Sequence, residues 1–172
     1  LLLLSVGELS RRKNHEVVLR ALALLEAEDP AVREDVCYLI CGQGVLEKKL
    51  ARQAYRYGVG GQVRLAGFVE DVASVYRAAD IFVFPSYQEG MPVALMEAMA
   101  AGMPCVVSDI RGNRELISRK ELRFAPDSPG QLAERLADLI RCKRERREAY
   151  GAQNREKIRA YSRGEVRKRM TC

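Results

Sequence analysis

Glu89 and Glu97 are the two residues whose chemistry and spacing first suggest a site, since they stand eight positions apart. They lie between two apolar runs, residues 81–84 and 104–107, so the segment is predicted to form a strand, a loop, a buried helix and a second strand. The helix is apolar all round except at Glu97. Its carboxylate therefore needs either the edge of a cleft or specific hydrogen-bond donors.

The entrance of this helix is predicted to bind an anion. Pro92 suits the first turn and Gly102 suits the end, so the free N–H groups and the positive end of the helix dipole fall near Gly90 and Val93. Gly90 also lets a ligand approach the backbone closely. An anion site beside carboxylates that can accept hydrogen bonds from sugar hydroxyls suggests a nucleotide-sugar ligand. The alternative is that Glu97 lies on a solvated helix edge and Glu89 only complements the dipole.

The composition describes a soluble globular protein of one domain, with 172 residues, 48% hydrophobic and 30% charged. The apolar run at residues 1–4 is too short for a signal peptide or a membrane span, so a cytoplasmic location is expected. Five cysteines without a C-x-x-C pair are expected to be reduced packing residues, with Cys172 a free thiol in the tail. The chain opens on a strand without an initiator methionine, which predicts a domain cut from a longer protein.

The positive charge of the chain is concentrated at its C-terminal end. Residues 141–172 hold twelve Lys or Arg and four Glu, a net charge of +8, whereas the whole chain carries +6. Such a segment either binds an anionic surface, lipid or nucleic acid, or forms the solvated face of a helix. We keep the inner face of a membrane as the candidate partner and do not expect nucleic acid.

The order of apolar and helical segments predicts an α/β fold, a doubly wound (Rossmann-like) parallel sheet of six strands with helices on both faces. The expected domain covers residues 1–142, and a basic helix and tail over residues 143–172 belong to it. A response-regulator-like domain shares this sheet but needs acidic residues where Gly7, Gly42 and Gly67 stand. The strands are predicted at residues 1–6, 36–42, 62–68, 81–84, 104–107 and 122–126, the last of them edge-like. Residues 127–129 are predicted to cap a helix over residues 130–142, and the basic helix is predicted over about residues 143–160.

The sequence around the two carboxylates resembles the E-x7-E signature of group 1 (family 4-like) retaining glycosyltransferases, in the C-terminal, donor-binding half of the two-domain GT-B fold. The residues that carry the resemblance are Glu89-Gly90-Met91-Pro92, Glu97-Ala98-Met99-Ala100 and Gly102-Met103-Pro104. The resemblance implies transfer of a hexose from a nucleotide-diphospho-sugar to an acceptor in polysaccharide (capsule) or glycolipid synthesis. It also implies that the N-terminal acceptor domain is absent from this chain, so that this fragment alone is inactive.

The resemblance assigns catalytic roles to Glu89, at the donor sugar, and to Lys13, at the diphosphate. It places Glu97 at the ribose hydroxyls. The implied donor-binding residues at the helix entrance, after the third strand and at the lip of the cleft are Gly90, Met91, Pro92, Val93, Phe68, Val69, Gly42 and Gly44. A tight strand-to-helix turn is the alternative role for the last two.

The loop after the first strand departs from the family pattern. Glu8 replaces the expected Arg, and Asn14 and His15 stand where a Gly is expected. Arg11 or Arg12 is the candidate substitute for the missing Arg. Asn14 is predicted to cap the first helix, and His15 is expected to be a first-turn helix residue and not a ligand.

We expect no cofactor and no metal requirement, because a cation such as Lys13 and the helix N-terminus can neutralise a leaving diphosphate and no D-x-D motif is present. A retaining glycosidase needs its two carboxylates about 5 Å apart, and Glu89 and Glu97, about two helical turns apart, should be more widely separated. Hydrolysis by paired carboxylates is therefore disfavoured. Two alternatives stay open: a sugar-nucleotide epimerase or other GT-B-like enzyme, and a nucleotide-binding domain without catalysis.

Overall fold

Six parallel strands form one sheet in the computed structural model, which describes the backbone of residues 1–170 and the side chains of residues 1–161. The strands are β1 Leu2–Val6, β2 Cys37–Cys41, β3 Val63–Gly67, β4 Ile81–Phe84, β5 Cys105–Ser108 and β6 Arg123–Phe124. Their order across the sheet is β3-β2-β1-β4-β5-β6, and every neighbouring pair is parallel. This is a doubly wound order, so the predicted fold class is confirmed.

Helices cover both faces of the sheet. The α-helices are α1 His15–Glu28, α2 Val32–Asp35, α3 Glu47–Arg56, α4 Val72–Ala78, α5 Val93–Ala101, α6 Arg111–Leu116, α7 Pro129–Arg141 and α8 Arg144–Met170. Helix α1 packs against α3 and α7, whereas α5 packs against α4 and α8. The short helix α2 was not predicted. Among the helices that the structure describes, none carries an apolar stretch sufficient to cross a lipid bilayer.

Burial along the strands follows their position in the sheet. All residues of β4 and β5 are buried, because helices cover these central strands on both sides. Strand β3, at one edge, alternates between exposed and half-buried positions. The last strand forms the opposite edge and is only two residues long, so its predicted edge position is confirmed and its predicted length is not.

The order of strands opens a crevice between β1 and β4. These two strands are neighbours in the sheet but the chain leaves them in opposite directions, toward β2 and toward β5. In doubly wound sheets, ligands bind at the carboxyl ends of the strands at this switch point. Here the crevice brings the loop of residues 7–14 beside the loop of residues 85–92. Both loops carry residues that the sequence assigned to a site.

Helix α8 crosses the C-terminal end of α5. A Cβ atom added at Gly151 would lie 1.8 Å from the carbonyl oxygen of Gly102, so the two backbones are in direct contact. Asn154 Nδ2 donates a hydrogen bond of 2.8 Å to the carbonyl of Met103. The predicted basic helix therefore exists, is longer than expected, and packs on the domain.

Two cations of α8 stabilise helix ends. Arg155 donates to the carbonyl of Ala101 at 2.8 Å, at the end of α5. Arg147 donates to the carbonyls of Leu139 and Cys142, both at 2.9 Å, at the end of α7. Cations at helix C-termini satisfy free carbonyl groups and complement the dipole. Part of the basic charge thus has a structural role.

The cysteines that the structure describes are free thiols. Cys41 and Cys105 are buried, and burial raises the pKa of both thiols. Cys37 and Cys142 are half-buried. The expectation of reduced packing residues is confirmed for these four, while Cys172 lies outside the described residues.

Candidate functional site

Lys13 and Glu89 form an ion pair in the crevice between β1 and β4. Lys13 ends a short 3-10 turn, Arg11–Lys13, and Glu89 lies in the loop that precedes α5. The ammonium Nζ is 2.8 Å from Oε1 of Glu89, and the side chains are only 13% and 4% exposed. The same ammonium lies 5.2 Å from the centre of the Phe84 ring. The structure thus brings together the two residues predicted to be catalytic.

The N-terminus of α5 adjoins this pair and is open to an anion. Pro92 precedes the first helical residue, Val93, so it occupies the N-cap and not the predicted first turn. No side chain caps this end, and the first turn holds no acidic residue. The amide of Val93 donates to the carbonyl of Met91 at 2.9 Å, whereas the other N–H groups of the first turn are available to a negatively charged ligand. The predicted end of the helix is confirmed, because Gly102 is the C-cap in a left-handed conformation with φ 79°.

The prediction that α5 is buried all round is wrong. Leu95, Ala98 and Met99 face the core, whereas Val93 and Glu97 are exposed. The apolar residues on the outer face are small or stand at the helix entrance. A continuous apolar sequence therefore did not imply a continuous buried surface.

Glu97 nevertheless has the two features expected of it, a specific hydrogen-bond donor and a place at the edge of a groove. Tyr76 Oη donates to Glu97 Oε2 at 3.0 Å. The groove lies between α4, α5 and α8, and Ala100 and Arg155 also line it. Within the described part of the chain, Glu97 contacts neither Lys13 nor Glu89. The two ends of the predicted site are thus separate, and Tyr76 is a partner of Glu97 that the sequence reasoning missed.

A row of aromatic rings connects these two ends. The Phe84 ring, beneath Lys13, stacks on Phe82 at 5.9 Å between centroids. The Phe82 ring packs against Tyr76 at 5.7 Å with an angle of 57° between planes. The hydroxyl of Tyr76 then reaches Glu97. Phe82 and Phe84 are two positions apart on the buried strand β4, so their side chains lie on the same face of the sheet. Through these two rings, β4 positions both ends of the site.

Glycines close the neighbouring loops at the carboxyl edge of the sheet. A Cβ atom at Gly42 would lie 1.9 Å from the carbonyl oxygen of Gly7, and one at Gly44 would lie 2.5 Å from that of Leu9. Gly42 also donates a backbone hydrogen bond of 2.7 Å to the carbonyl of Gly67. These contacts explain why no side chain fits at either position, in agreement with the tight-turn interpretation of Gly42 and Gly44.

Three apolar side chains predicted to bind the donor are exposed. Phe68, directly after β3, is 72% exposed, and Met91 and Val93 at the α5 entrance are 67% and 52% exposed. Val69 is half-buried, and Gly90 has open space where a Cβ atom would lie. Exposed apolar residues around a polar centre are typical of binding surfaces.

Asn14, in the loop after β1, has a different role from the predicted helix cap. Asn14 precedes α1 in a left-handed conformation, φ 52°, and its side chain does not cap the helix as predicted. Instead, Asn14 Nδ2 donates to the carbonyls of Pro85 and Pro126, at 3.2 and 2.9 Å, and so ties three loops together. Arg11 and Arg12 are exposed and form no ion pair with the described residues.

His15 is a buried first-turn residue, as expected. Its Nδ1 lies 3.3 Å from the hydroxyl of Tyr38, which donates to Ser5 Oγ at 2.9 Å. Ser5 in turn donates to the carbonyl of Val83 at 2.6 Å. Burial lowers the pKa of His15 to about 4. This chain of hydrogen bonds joins α1 to β1, β2 and β4 beneath the site.

Asp109, directly after β5, forms ion pairs with two arginines. Its carboxylate pairs with Arg114 at 2.8 Å and with Arg123 at 3.1 Å, which fixes the loop after β5. In the part of the chain that the structure describes, no group of three or more His, Cys, Asp or Glu residues is arranged to hold a metal ion.

The sequence matches the family model described as "Glycosyl transferases group 1" over residues 1–157. It is 37% identical over 138 residues to the amylovoran biosynthesis glycosyltransferase AmsK of Erwinia amylovora, covering 75% of this chain and 33% of that protein. It is also 37% identical over 90 residues to the UDP-Gal:alpha-D-GlcNAc-diphosphoundecaprenol alpha-1,3-galactosyltransferase of Escherichia coli, covering 50% of this chain and 22% of that protein. The chain thus spans about a third or less of these relatives.

The fold has a close counterpart among solved structures. The catalytic domain of cholesterol-alpha-glucosyltransferase from Helicobacter pylori superposes with a TM-score of 0.82 at 22% identity, over 93% of this chain and 98% of that one. At this level of identity the likeness concerns the fold. It agrees with the Rossmann-like half of a GT-B architecture that the sequence predicted.

Proposed function

Because this chain belongs to the group 1 glycosyl transferases, we propose that it is the donor-binding domain of a retaining glycosyltransferase that transfers a hexose in polysaccharide or glycolipid synthesis. The observation that carries the proposal is the buried ion pair at the switch point of the sheet, in which Lys13 Nζ lies 2.8 Å from Glu89 Oε1. This pair lies beside the uncapped N-terminus of α5. A cation, free N–H groups and a carboxylate in one crevice suit a sugar diphosphate.

In this proposal the diphosphate of the donor binds the first turn of α5 and the ammonium of Lys13. Both stabilise the negative charge that develops on the leaving diphosphate, so the reaction needs no metal ion. Glu89 accepts hydrogen bonds from the donor sugar and, with Lys13, completes the catalytic pair. Retention at the anomeric carbon follows the family resemblance.

The nucleoside part extends from the crevice toward the α5 face that carries Glu97. Glu97 accepts hydrogen bonds from the ribose hydroxyls, and the backbone of Phe68 and Val69 reads the base. The exposed side chain of Phe68 supports this placement, because it lies at the end of β3 on the same edge of the sheet. The name of the E. coli relative, which contains UDP-Gal, supports a uridine diphosphate donor.

The complete enzyme is proposed to add an N-terminal acceptor domain and to act in the cytoplasm. The acceptor named for the E. coli relative is a sugar on diphosphoundecaprenol, a lipid carrier. In this proposal the enzyme works at the inner face of a membrane, and the basic residues of α8 are the part of this chain suited to anionic lipid. Without the acceptor domain, the chain binds donor but does not turn it over.

Isothermal titration of the domain with UDP and GDP tests the proposal. One of the two is expected to bind, and Glu97→Gln is expected to weaken binding about tenfold, because a charge-assisted hydrogen bond contributes about 1.5 to 3 kcal/mol. Glu134→Gln, which changes an exposed carboxylate on α7, is the matched control and should bind like the wild type. Equal binding by both variants would contradict the role of Glu97. Product analysis with the full-length protein then separates sugar transfer from epimerisation.

A further inference from the structure

Tyr76 is a buried tyrosine whose side-chain hydroxyl lies beside Glu97 at the edge of the groove. The side chain stands on α4 and is 4% exposed, with its ring packed against Phe82 of β4. Its hydroxyl lies 3.0 Å from Glu97 Oε2 and 3.2 Å from the carbonyl oxygen of Ala94. A buried tyrosine hydroxyl needs a hydrogen-bond acceptor, and an ionised carboxylate is the stronger of these two.

The hydroxyl remains a donor at any working pH. Burial, and next to it the negative charge of Glu97, raise the pKa of Tyr76 well above its ordinary value. The proton therefore stays on the phenol oxygen. The direction of the hydrogen bond, from Tyr76 to Glu97, is fixed by this chemistry.

The cationic side chains near Glu97 donate their hydrogen bonds to other acceptors. Two cations line the same groove, but Arg77 donates to Ser74 Oγ at 2.6 Å and Arg155 donates to the carbonyl of Ala101 at 2.8 Å. In the described part of the chain, neither pairs with Glu97. The bond from Tyr76 is thus the contact that holds an otherwise exposed carboxylate, and it leaves Oε1 free for a ligand.

We propose that Tyr76 is a positioning residue: by holding Oε2 of Glu97 it keeps Oε1 available to the vicinal hydroxyls of the bound nucleotide and sets a preference for ribonucleotides over 2′-deoxyribonucleotides. The inference rests on the proposed function, because it requires a nucleotide on this face of α5. It adds a residue on a different helix to the part of the site that distinguishes one sugar from another. A carboxylate that samples several rotamers loses affinity through the entropy of being ordered on binding.

The test compares dissociation constants for UDP and 2′-deoxy-UDP, or the guanosine pair if the wild type binds GDP. The wild type is expected to prefer the ribonucleotide about tenfold or more. Tyr76→Phe should reduce this ratio several-fold by weakening the ribonucleotide alone, while the deoxynucleotide binds as before. The double variant with Glu97→Gln should show the same ratio as Glu97→Gln by itself, since coupled residues are not additive. Tyr55→Phe, at a 78% exposed tyrosine on α3, is the control and should keep the wild-type ratio.

A second variant tests the inference if Tyr76→Phe does not fold. Glu97→Asp keeps the charge and the tyrosine but shortens the side chain beyond reach of the hydroxyl, and it should lose the preference in the same way. An unchanged ratio in either folded variant, or equal weakening of both nucleotides, would overturn the inference. A wild type that binds ribo- and deoxynucleotides equally overturns the inference alone, whereas a wild type that binds neither nucleoside diphosphate overturns the proposed function and the inference with it.

Discussion

The ammonium of Lys13 lies 2.8 Å from a carboxylate oxygen of Glu89, and both side chains are almost completely buried. Each residue therefore neutralises the charge of the other. Under the proposed function, a diphosphate has to compete with Glu89 for the cation, and the sugar hydroxyls then replace Lys13 as partners of the freed carboxylate. Binding would exchange one buried set of charge contacts for another.

Glu89→Gln is expected to separate the two parts of the donor. The neutral amide holds Lys13 less firmly, so UDP without a sugar should bind several-fold more tightly than to the wild type. The additional affinity that the sugar provides should be lost, because the amide is a weaker acceptor for hydroxyl groups. Titration of the wild type and of Glu89→Gln with UDP and with a UDP-sugar measures the two effects. Weaker binding of UDP itself would show that Glu89 does not compete for Lys13.

Lys13→Gln is expected to destabilise the domain by about 3 kcal/mol, because it leaves the buried carboxylate of Glu89 without a partner. Urea unfolding followed by circular dichroism measures this difference. Lys48→Gln, an exposed position on α3, is the control and should stay within about 0.5 kcal/mol of the wild type. The prediction fails if the two variants unfold at the same urea concentration.

Gly42→Ala is expected to destabilise the fold by about 2 to 4 kcal/mol, or to abolish soluble expression. The added Cβ atom would lie 1.9 Å from the carbonyl oxygen of Gly7, and the backbone there has φ +151°. The matched change Gly61→Ala meets no atom within 4 Å and should be nearly neutral. Thermal unfolding of the two variants provides the comparison, and similar melting temperatures would contradict the close backbone contact.

The buried His15 is expected to make stability fall as the pH is lowered from about 6.5 toward 4. In the folded chain its pKa is about 4, whereas its ordinary value is 6.5, so in this range the unfolded chain binds a proton that the folded chain does not. Between pH 7.5 and 5.5 the loss should be about 1 kcal/mol. His15 is the single histidine of the sequence, which makes the effect easy to assign.

Urea unfolding at these two pH values checks the assignment. His15→Gln cannot titrate and should show a much smaller change between pH 7.5 and 5.5. If the variant and the wild type lose the same stability, other groups are responsible for the pH dependence.

The fold could be predicted from the sequence because its signals are local. The apolar run of β4, for example, has the same limits in the sequence and in the structure, Ile81–Phe84. Ser128 accepts a hydrogen bond from the amide of Gln131 and Pro129 begins α7, as the capping pattern predicts. The role of Asn14 was missed because its partners, Pro85 and Pro126, are distant in sequence and are brought close only by the sheet.

The sequence offers the components of the candidate site but not their arrangement. The sequence proposes Lys13, Glu89 and Glu97, but their spacing does not reveal that the first two form an ion pair. Tyr76 had no distinguishing signal of its own, because a tyrosine on an amphipathic helix usually belongs to the core. The role of its hydroxyl is indicated only by the hydrogen bond to Glu97, which the structure shows and the sequence does not.

The direct backbone contact between Gly151 and Gly102 has a practical implication for engineering this domain. The helix proposed to bind the donor is braced by a segment about fifty residues further along the chain, where Tyr150, Asn154 and Ile158 turn one buried face toward it. Trimming the arginine-rich end to improve crystals or expression should therefore stop beyond Ile158. A shorter product would lose the support of its own ligand-binding helix.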